Sequence, residues 1–377
     1  MNATRAIDLE DIDGLLAADR QGLLRSASSA GAQVRAIAAA VDEGELNSLR
    51  TGDRPRSVIW VAGRGTAQTA GAMLAATLGG TASAPIVIVS EAPAWVGPLD
   101  VLIVAGDDPG DPALIGAAAT GVRRGARVVV IAPYEGPLRD STAGRVAVLA
   151  PRLWGADEFG LCRYLAAGLA TLHTVDPRLD IDVPALADEL DAEVLRNSAG
   201  RELFTNPAKT MAARISGHRV ALAGDCAATL TLARHGSSVL LRIAHHVVAA
   251  TGLADAVVAL REPAEFGSEL GQAASSVDSL FHDDEIDGPL PQRLRVLALT
   301  LSDDRTVAAA RVAGLDDVYL IAAQDVPDAS DTVDDMAGSG GAAGSREPAG
   351  AGRPEQQLAV LAVRLEMAAV YLRLVRG

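Results

Sequence analysis

The stretch DVLIVAGDDPGDPALIGAA, residues 100–118, decides the fold. It opens on an unbroken apolar run, turns sharply through an acidic Gly-Pro segment, and re-emerges at Asp111-Pro112 as an alanine-rich helix. A short apolar run feeding a helix through a tight turn is the unit of a parallel sheet covered on both faces. The same alternation extends outward. RSVIWVAG is followed by a helix over about 66–78, then strands APIVIVS and DVLIVAG, a helix over about 112–124, and strands RVVVIAP and RVAVLAP. A helix over about 157–173 closes this half, and Asp176-Pro177 ends it.

A polar-faced helical segment over 177–200 connects this half to a second alternation. There the pattern predicts strand HRVALAG, helices from Ala227 through Ala250, strand AVVAL, a helix over about 264–281, strand RLRVLALTL, helix RTVAAARVAG and strand DDVYLIAA. Both halves open alike, with VAGRGTAQTAG in one and LAGDCAATLT in the other, which points to duplication of one α/β unit. The expected domains are therefore 1–176 and 201–377. Residues of about 326–355, rich in Gly, Ser and Pro, read as a disordered loop within the second domain. The final segment regains helical periodicity and is expected to pack on the second domain or across a dimer interface.

Composition narrows the function classes. The chain has 377 residues, 49% hydrophobic but only 3% aromatic, so Ala, Val and Leu must fill the interior of two ordinary domains. A formal net charge of -15 opposes binding to nucleic acid or an anionic membrane. Lys209 is the one lysine, so nearly all positive charge is arginine. Cys162 and Cys226 are too few for a disulfide framework or a metal knuckle, and read as reduced thiols. With an acidic N-terminus and no apolar run of about 20 residues, the expected location is the cytoplasm.

Four groups of residues are candidates for chemistry. Gly63, Arg64, Gly65 and Thr66 form the first strand-to-helix turn, where backbone N–H groups and a guanidinium can take an anion, or where glycine and threonine merely make a turn and a cap. No third glycine completes a dinucleotide fingerprint. Asp107, Asp108 and Asp111 line the second turn. A phosphate oxygen 4 Å from one carboxylate is repelled by about 4 kcal/mol at an effective dielectric near 20, while a helix dipole returns at most about 2 kcal/mol. These aspartates therefore either cap the helix and face water, or accept hydrogen bonds from hydroxyls or an amine. His245 and His246 lie in a helical stretch on different faces and cannot form a metal pair. His282, in FHDDEIDGP, stands among carboxylates and suits either proton transfer or a helix C-terminus.

Taken together, these motifs make the chain resemble a double SIS-domain protein of the bifunctional phosphoglucose/phosphomannose isomerase family, in particular its divergent TobH-like group. That resemblance implies two tandem SIS domains of α/β class, each a Rossmann-like three-layer unit on a parallel sheet. It further implies a sugar-phosphate ligand, a homodimer, no cofactor and no metal. Ala62 to Thr66 match the family's Gly-Met-Gly-Gly-Ser turn in position. The family's Ser-Tyr-Ser-Gly-Asn-Thr loop, which holds the sugar phosphate, is replaced by Asp107 to Pro112, without a hydroxyl. Pro151-Arg152 matches a Pro-Arg whose arginine contacts ligand, and NPAKTMAARISGHRV resembles the start of the second domain. Ala233-Arg234 precedes the family's Asn-Glu-Asn, where an ungapped alignment places Leu240, Leu241 and Arg242 in place of the catalytic glutamate. His282 to Ile286 best match the family's His-Asn-Glu-Ile, and no lysine after Lys209 serves the terminal lysine motif.

Aldose–ketose isomerisation needs a base that moves a proton between adjacent carbons, and leucine cannot accept one. Loss of such a base typically lowers the rate about 100- to 10,000-fold. The expectation is a sugar-phosphate binding protein with weak or absent isomerase activity. The alternative is an active glucose 6-phosphate/mannose 6-phosphate isomerase that uses Glu285 or Glu265 as base beside His282.

Overall fold

The computed structural model describes residues 7–153, 159–261, 293–325 and 353–376. Three helices, α1 (Ile12–Ala18), α2 (Leu23–Ala27) and α3 (Ala30–Asp42), precede the first sheet. That sheet comprises β1 (Ser57–Val61), β2 (Ile86–Val89), β3 (Asp100–Ala105), β4 (Arg127–Ile131) and β5 (Ala147–Val148), ordered β2-β1-β3-β4-β5 and parallel throughout. Helices α4 (Gly65–Leu78), α5 (Pro112–Arg123) and α6 (Gly136–Thr142) connect its strands. The second sheet, β6 (Arg219–Gly224), β7 (Ala249–Gly252), β8 (Leu294–Leu299) and β9 (Val318–Ile321), repeats the order as β7-β6-β8-β9, again parallel. This is the α/β, parallel-sheet architecture that the alternation predicts.

The strands are apolar on both faces because both faces are covered. In β1 and β3, Val58, Trp60, Val101 and Ile103 join an inner core, whereas Ile59, Val61, Leu102 and Val104 join an outer one with α5 residues Leu114, Ala117 and Ala118. The inner core continues without a break into the second half. Its helices are α7 (Leu161–Val175), α8 (Val183–Arg196), α9 (Pro207–Ile215), α10 (Ala227–Ala244) and α13 (Pro354–Arg376). Trp60 is the largest buried side chain there, and its indole N–H donates to the Ala67 carbonyl at 3.0 Å. A Cβ on Gly71 or Gly168 would stand 2.5 Å or 2.8 Å from that indole, so glycine at both positions lets α4 and α7 close on it.

Helix α13 is buried along almost its whole length. It packs on α8, α9 and α10 and also on α2, α4 and α7, so it serves both halves and not the second alone. Two of its charged residues, Arg364 and Glu366, are matched inside the core. Arg364 donates to Glu193 at 2.8 Å and to the Ala322 and Ala323 carbonyls, and Glu366 faces His235 Nε2 at 3.0 Å. Arginine beside it overcomes burial and holds the Glu193 carboxyl below its usual range. Lys209 is likewise buried, donating to the carbonyls of Ala199 and Arg201.

The structure corrects three expectations in the second half. Helix α10 ends at Ala244, because His245 takes a left-handed conformation with φ 51°. The histidine pair therefore lies past the helix, not within it. The strand is Ala249–Gly252, and AVVAL belongs to helix α11 (Leu253–Arg261). Leu253, Ala256, Val257 and Leu260 enter one apolar cluster with β6 and β8, which is helical spacing that the short apolar run concealed. Helix α12 (Arg305–Val312) and β9 fall as expected, whereas the helix over 264–281 and the Gly-rich loop lie outside the described residues.

Candidate functional site

In each sheet, the first strand sends its connection to one side and the third strand of that half lies on the other. This places a crevice at the carboxyl ends of β1 and β3, and another at those of β6 and β8. Such switch points are where open parallel sheets take ligands. At the first crevice, β1 ends at Val61, Ala62 and Gly63 follow, and Arg64 is the extended N-cap of α4. Gly65 has φ +66°, which only glycine adopts without strain, and Thr66 is buried and makes no side-chain cap.

The β3 turn lies alongside. Asp111 caps α5 by accepting from the Ala113 N–H at 2.9 Å, and Asp108 accepts from the Gly110 N–H at 2.8 Å. Asp107 is exposed and carries no hydrogen bond among the described residues. Arg64 and Asp108 link the two turns, 3.7 Å apart, with 69% and 54% of their side chains exposed. Of the three carboxylates in this turn, Asp108 is the one that pairs with the Arg64 guanidinium.

The structure brings Gly63, Arg64, Gly65, Thr66, Asp107, Asp108 and Asp111 together and leaves the other candidates elsewhere. Arg152 is committed to Glu43, with contacts of 2.8 and 2.5 Å, and stands 3.9 Å from Glu45, where it holds the Glu43 carboxyl below its usual range. Arg234 is exposed on α10, about two turns past its start, and makes no ion pair among the described residues. Leu240 is fully buried and Leu241 is 52% exposed, so that stretch of α10 is aliphatic. His282, Glu285 and Glu265 lie outside the described residues.

The second crevice holds residues that the sequence reading passed over. Asp225, at the end of β6, accepts from the hydroxyls of Thr229 at 2.8 Å and Thr300 at 2.5 Å, tying the α10 turn to the end of β8. Cys226 and Asp304 bring ligand atoms within 4.8 Å of each other and of Asp225. Each Asp225 carboxylate oxygen accepts from one threonine hydroxyl, so hydrogen bonds latch the two strand ends together. Only the Asp225–Thr229 half of this latch, four residues apart, is local in the sequence; Thr300 lies 75 positions away.

No family model matches the chain, and no curated protein matches it. Solved structures do. Tagatose-6-phosphate ketose/aldose isomerase from Escherichia coli superposes with a TM-score of 0.60 at 15% identity, over 95% of this chain and 92% of its own. The C-terminal domain of glucosamine-fructose-6-phosphate aminotransferase from Francisella tularensis gives 0.57 at 10% identity, over 97% and 96%. The chain has the SIS-domain phosphosugar isomerase fold. At such low identity the likeness extends to the fold alone, so the chemistry rests on the residues of the two crevices.

Proposed function

We propose that this chain is a carbohydrate-binding protein on the phosphosugar isomerase fold, akin to the TobH-like group, with little or no aldose–ketose isomerase activity. The observation that carries this reading is the acidic turn: Asp107, Asp108 and Asp111 follow β3, and of the three only Asp108 meets a guanidinium among the described residues, that of Arg64 at 3.7 Å. Carboxylates accept hydrogen bonds from sugar hydroxyls and repel a phosphate dianion. The ligand is therefore oriented with its hydroxyls on the Asp107–Pro112 turn. Any phosphate end lies on the backbone N–H groups of the Gly63–Thr66 turn, with Arg64 swung onto it from Asp108. Low activity follows from the aliphatic stretch Leu240–Leu241, which offers no proton acceptor. The working unit is proposed to be a cytoplasmic homodimer. A net charge of -15 supports a small carbohydrate over nucleic acid or an anionic membrane as partner.

The test is calorimetric titration with glucose, mannose, glucose 6-phosphate and mannose 6-phosphate, alongside an isomerase assay on both esters. The expected result is saturable binding of at least one of the four, weakened by Asp108→Ala, with negligible turnover. A turnover near about 10 s⁻¹, ordinary for an enzyme, would overturn the low-activity reading.

A further inference from the structure

At the carboxyl edge of the second sheet, on the β9 side of its crevice, a cavity of about 360 Å³ opens between α9, the edge strand β9 and the start of α12. This is the lower end of the size range of small-molecule pockets, with room for roughly ten non-hydrogen atoms. Its lining is mixed: Met211, Leu320 and Ile321 are apolar, and Arg214, Arg305 and Asp325 are charged.

The charges do not balance. Arg305 is paired with Asp325 at 2.5 Å, and Arg364, at the back, is consumed by Glu193 and two carbonyls. Arg214 has no hydrogen-bond or carboxylate partner for its guanidinium among the described residues; the group lies 4.5 Å from the centroid of the Tyr319 ring. Arg295 stands 5.4 Å from the same ring and donates to the Arg214 carbonyl at 2.8 Å, and its Nε is buried without a hydrogen-bond partner among the described residues. One tyrosine ring thus has two guanidinium groups over it with no carboxylate to match, in a chain whose net charge is -15. Contact with the ring face steadies the Arg214 guanidinium while its N–H groups stay available.

We infer that this cavity is a second ligand site, for a small carboxylic acid whose carboxylate pairs with Arg214 and whose hydrocarbon body lies on Met211, Leu320 and Ile321. A monoanion fits better than a phosphate dianion, because Arg214 is the one unmatched cation among the described lining residues and Asp325 faces the same space.

The experiment is calorimetric titration of the full chain with sodium benzoate, sodium hexanoate and, as a neutral isostere, benzamide. One carboxylate is expected to bind per chain, benzamide at least about tenfold more weakly, and inorganic phosphate more weakly than the carboxylate. Arg214→Gln keeps a planar group over Tyr319 and is expected to weaken the carboxylate at least about tenfold. Saturating glucose 6-phosphate should leave carboxylate affinity unchanged. Absence of saturable binding for both carboxylates, equal binding of benzoate and benzamide, or competition by glucose 6-phosphate would each overturn the site. The benzoate–benzamide comparison uses the unaltered protein, so it decides the matter even where the variant fails to fold.

Discussion

Aligned on the N-caps Arg64 and Cys226, the two carboxyl edges set Ala62 against Gly224 and Gly63 against Asp225. In the second sheet Asp225 reaches across to Thr300 and closes the crevice with hydrogen bonds. In the first sheet glycine holds that place, and among the described residues the ion pair that links the turns is the long, exposed Arg64–Asp108 contact. The same scaffold is therefore latched at one edge and open at the other. The open switch point is the edge proposed for a ligand, and the latched one is read as structural.

The largest effect that bears on this contrast is expected at Gly224. A Cβ there would lie 2.1 Å from the Leu230 backbone nitrogen and 2.5 Å from the Thr229 carbonyl carbon, so the helix itself would have to move. Gly224→Ala is expected to cost about 3 kcal/mol or more, read as a large fall in the urea midpoint. Gly63→Ala meets nothing within 4 Å and is expected to stay within about 0.5 kcal/mol of the parent. Equal losses at the two positions would break the contrast. Asp225→Ala comes next. It strips both threonine hydroxyls of their acceptor and is expected to cost about 1–3 kcal/mol, whereas Asp108→Ala, at an exposed turn, should change stability by about 0.5 kcal/mol or less.

The difference between the edges also sets how much was legible in the sequence. Unbroken runs such as Val101–Ala105 and Val128–Ile131 are buried on both faces, so composition alone marks them as central strands. Edge strand β7 is the opposite case: Ala249–Gly252 consists of small residues that are none of them buried, and nothing in its composition favours a strand. The first crevice was legible because glycine and aspartate in a turn have local meaning. The Asp225 latch joins residues 75 positions apart, and the core pair Arg364–Glu193 joins residues 171 apart, which no local spacing displays. The reach of Arg152 toward Glu43, 109 residues away, was equally non-local.

Acid offers a smaller perturbation that separates structural from ligand-facing carboxylates. Asp176, buried at the end of α7, accepts from Arg178 and from the Ser83 N–H, and these hold its carboxyl far below the usual range. A depressed folded pKa means that its stabilisation is complete above the unfolded value of about 3.9 and is lost as pH falls below it toward the folded value. Between about pH 5 and about pH 3 the urea midpoint should therefore fall, and fall less steeply in Asp176→Asn. Asp107→Asn, at an exposed turn, should change the unfolding free energy at neutral pH by no more than about 0.5 kcal/mol. A larger loss would mean that the acidic turn bears on the fold and is not held open for a ligand.

The smallest expected change in stability carries the most information about binding. Arg64 and Asp108 are 3.7 Å apart and mostly solvated, so Arg64→Ala should shift the unfolding free energy by no more than about 0.5 kcal/mol. Its effect on ligands should be selective. Removing the guanidinium leaves the acidic turn with no counter-charge beside it, so a hexose phosphate that uses Arg64 should bind about tenfold more weakly. A neutral hexose held through its hydroxyls by Asp107 and Asp108 should keep its affinity, because those acceptors remain. Parallel calorimetric titrations of the parent and Arg64→Ala with glucose and glucose 6-phosphate separate the two contributions. Equal weakening of both ligands would mean that Arg64 shapes the turn and not the charge, and the open edge would then owe its form to the same kind of cross-link as the latched one.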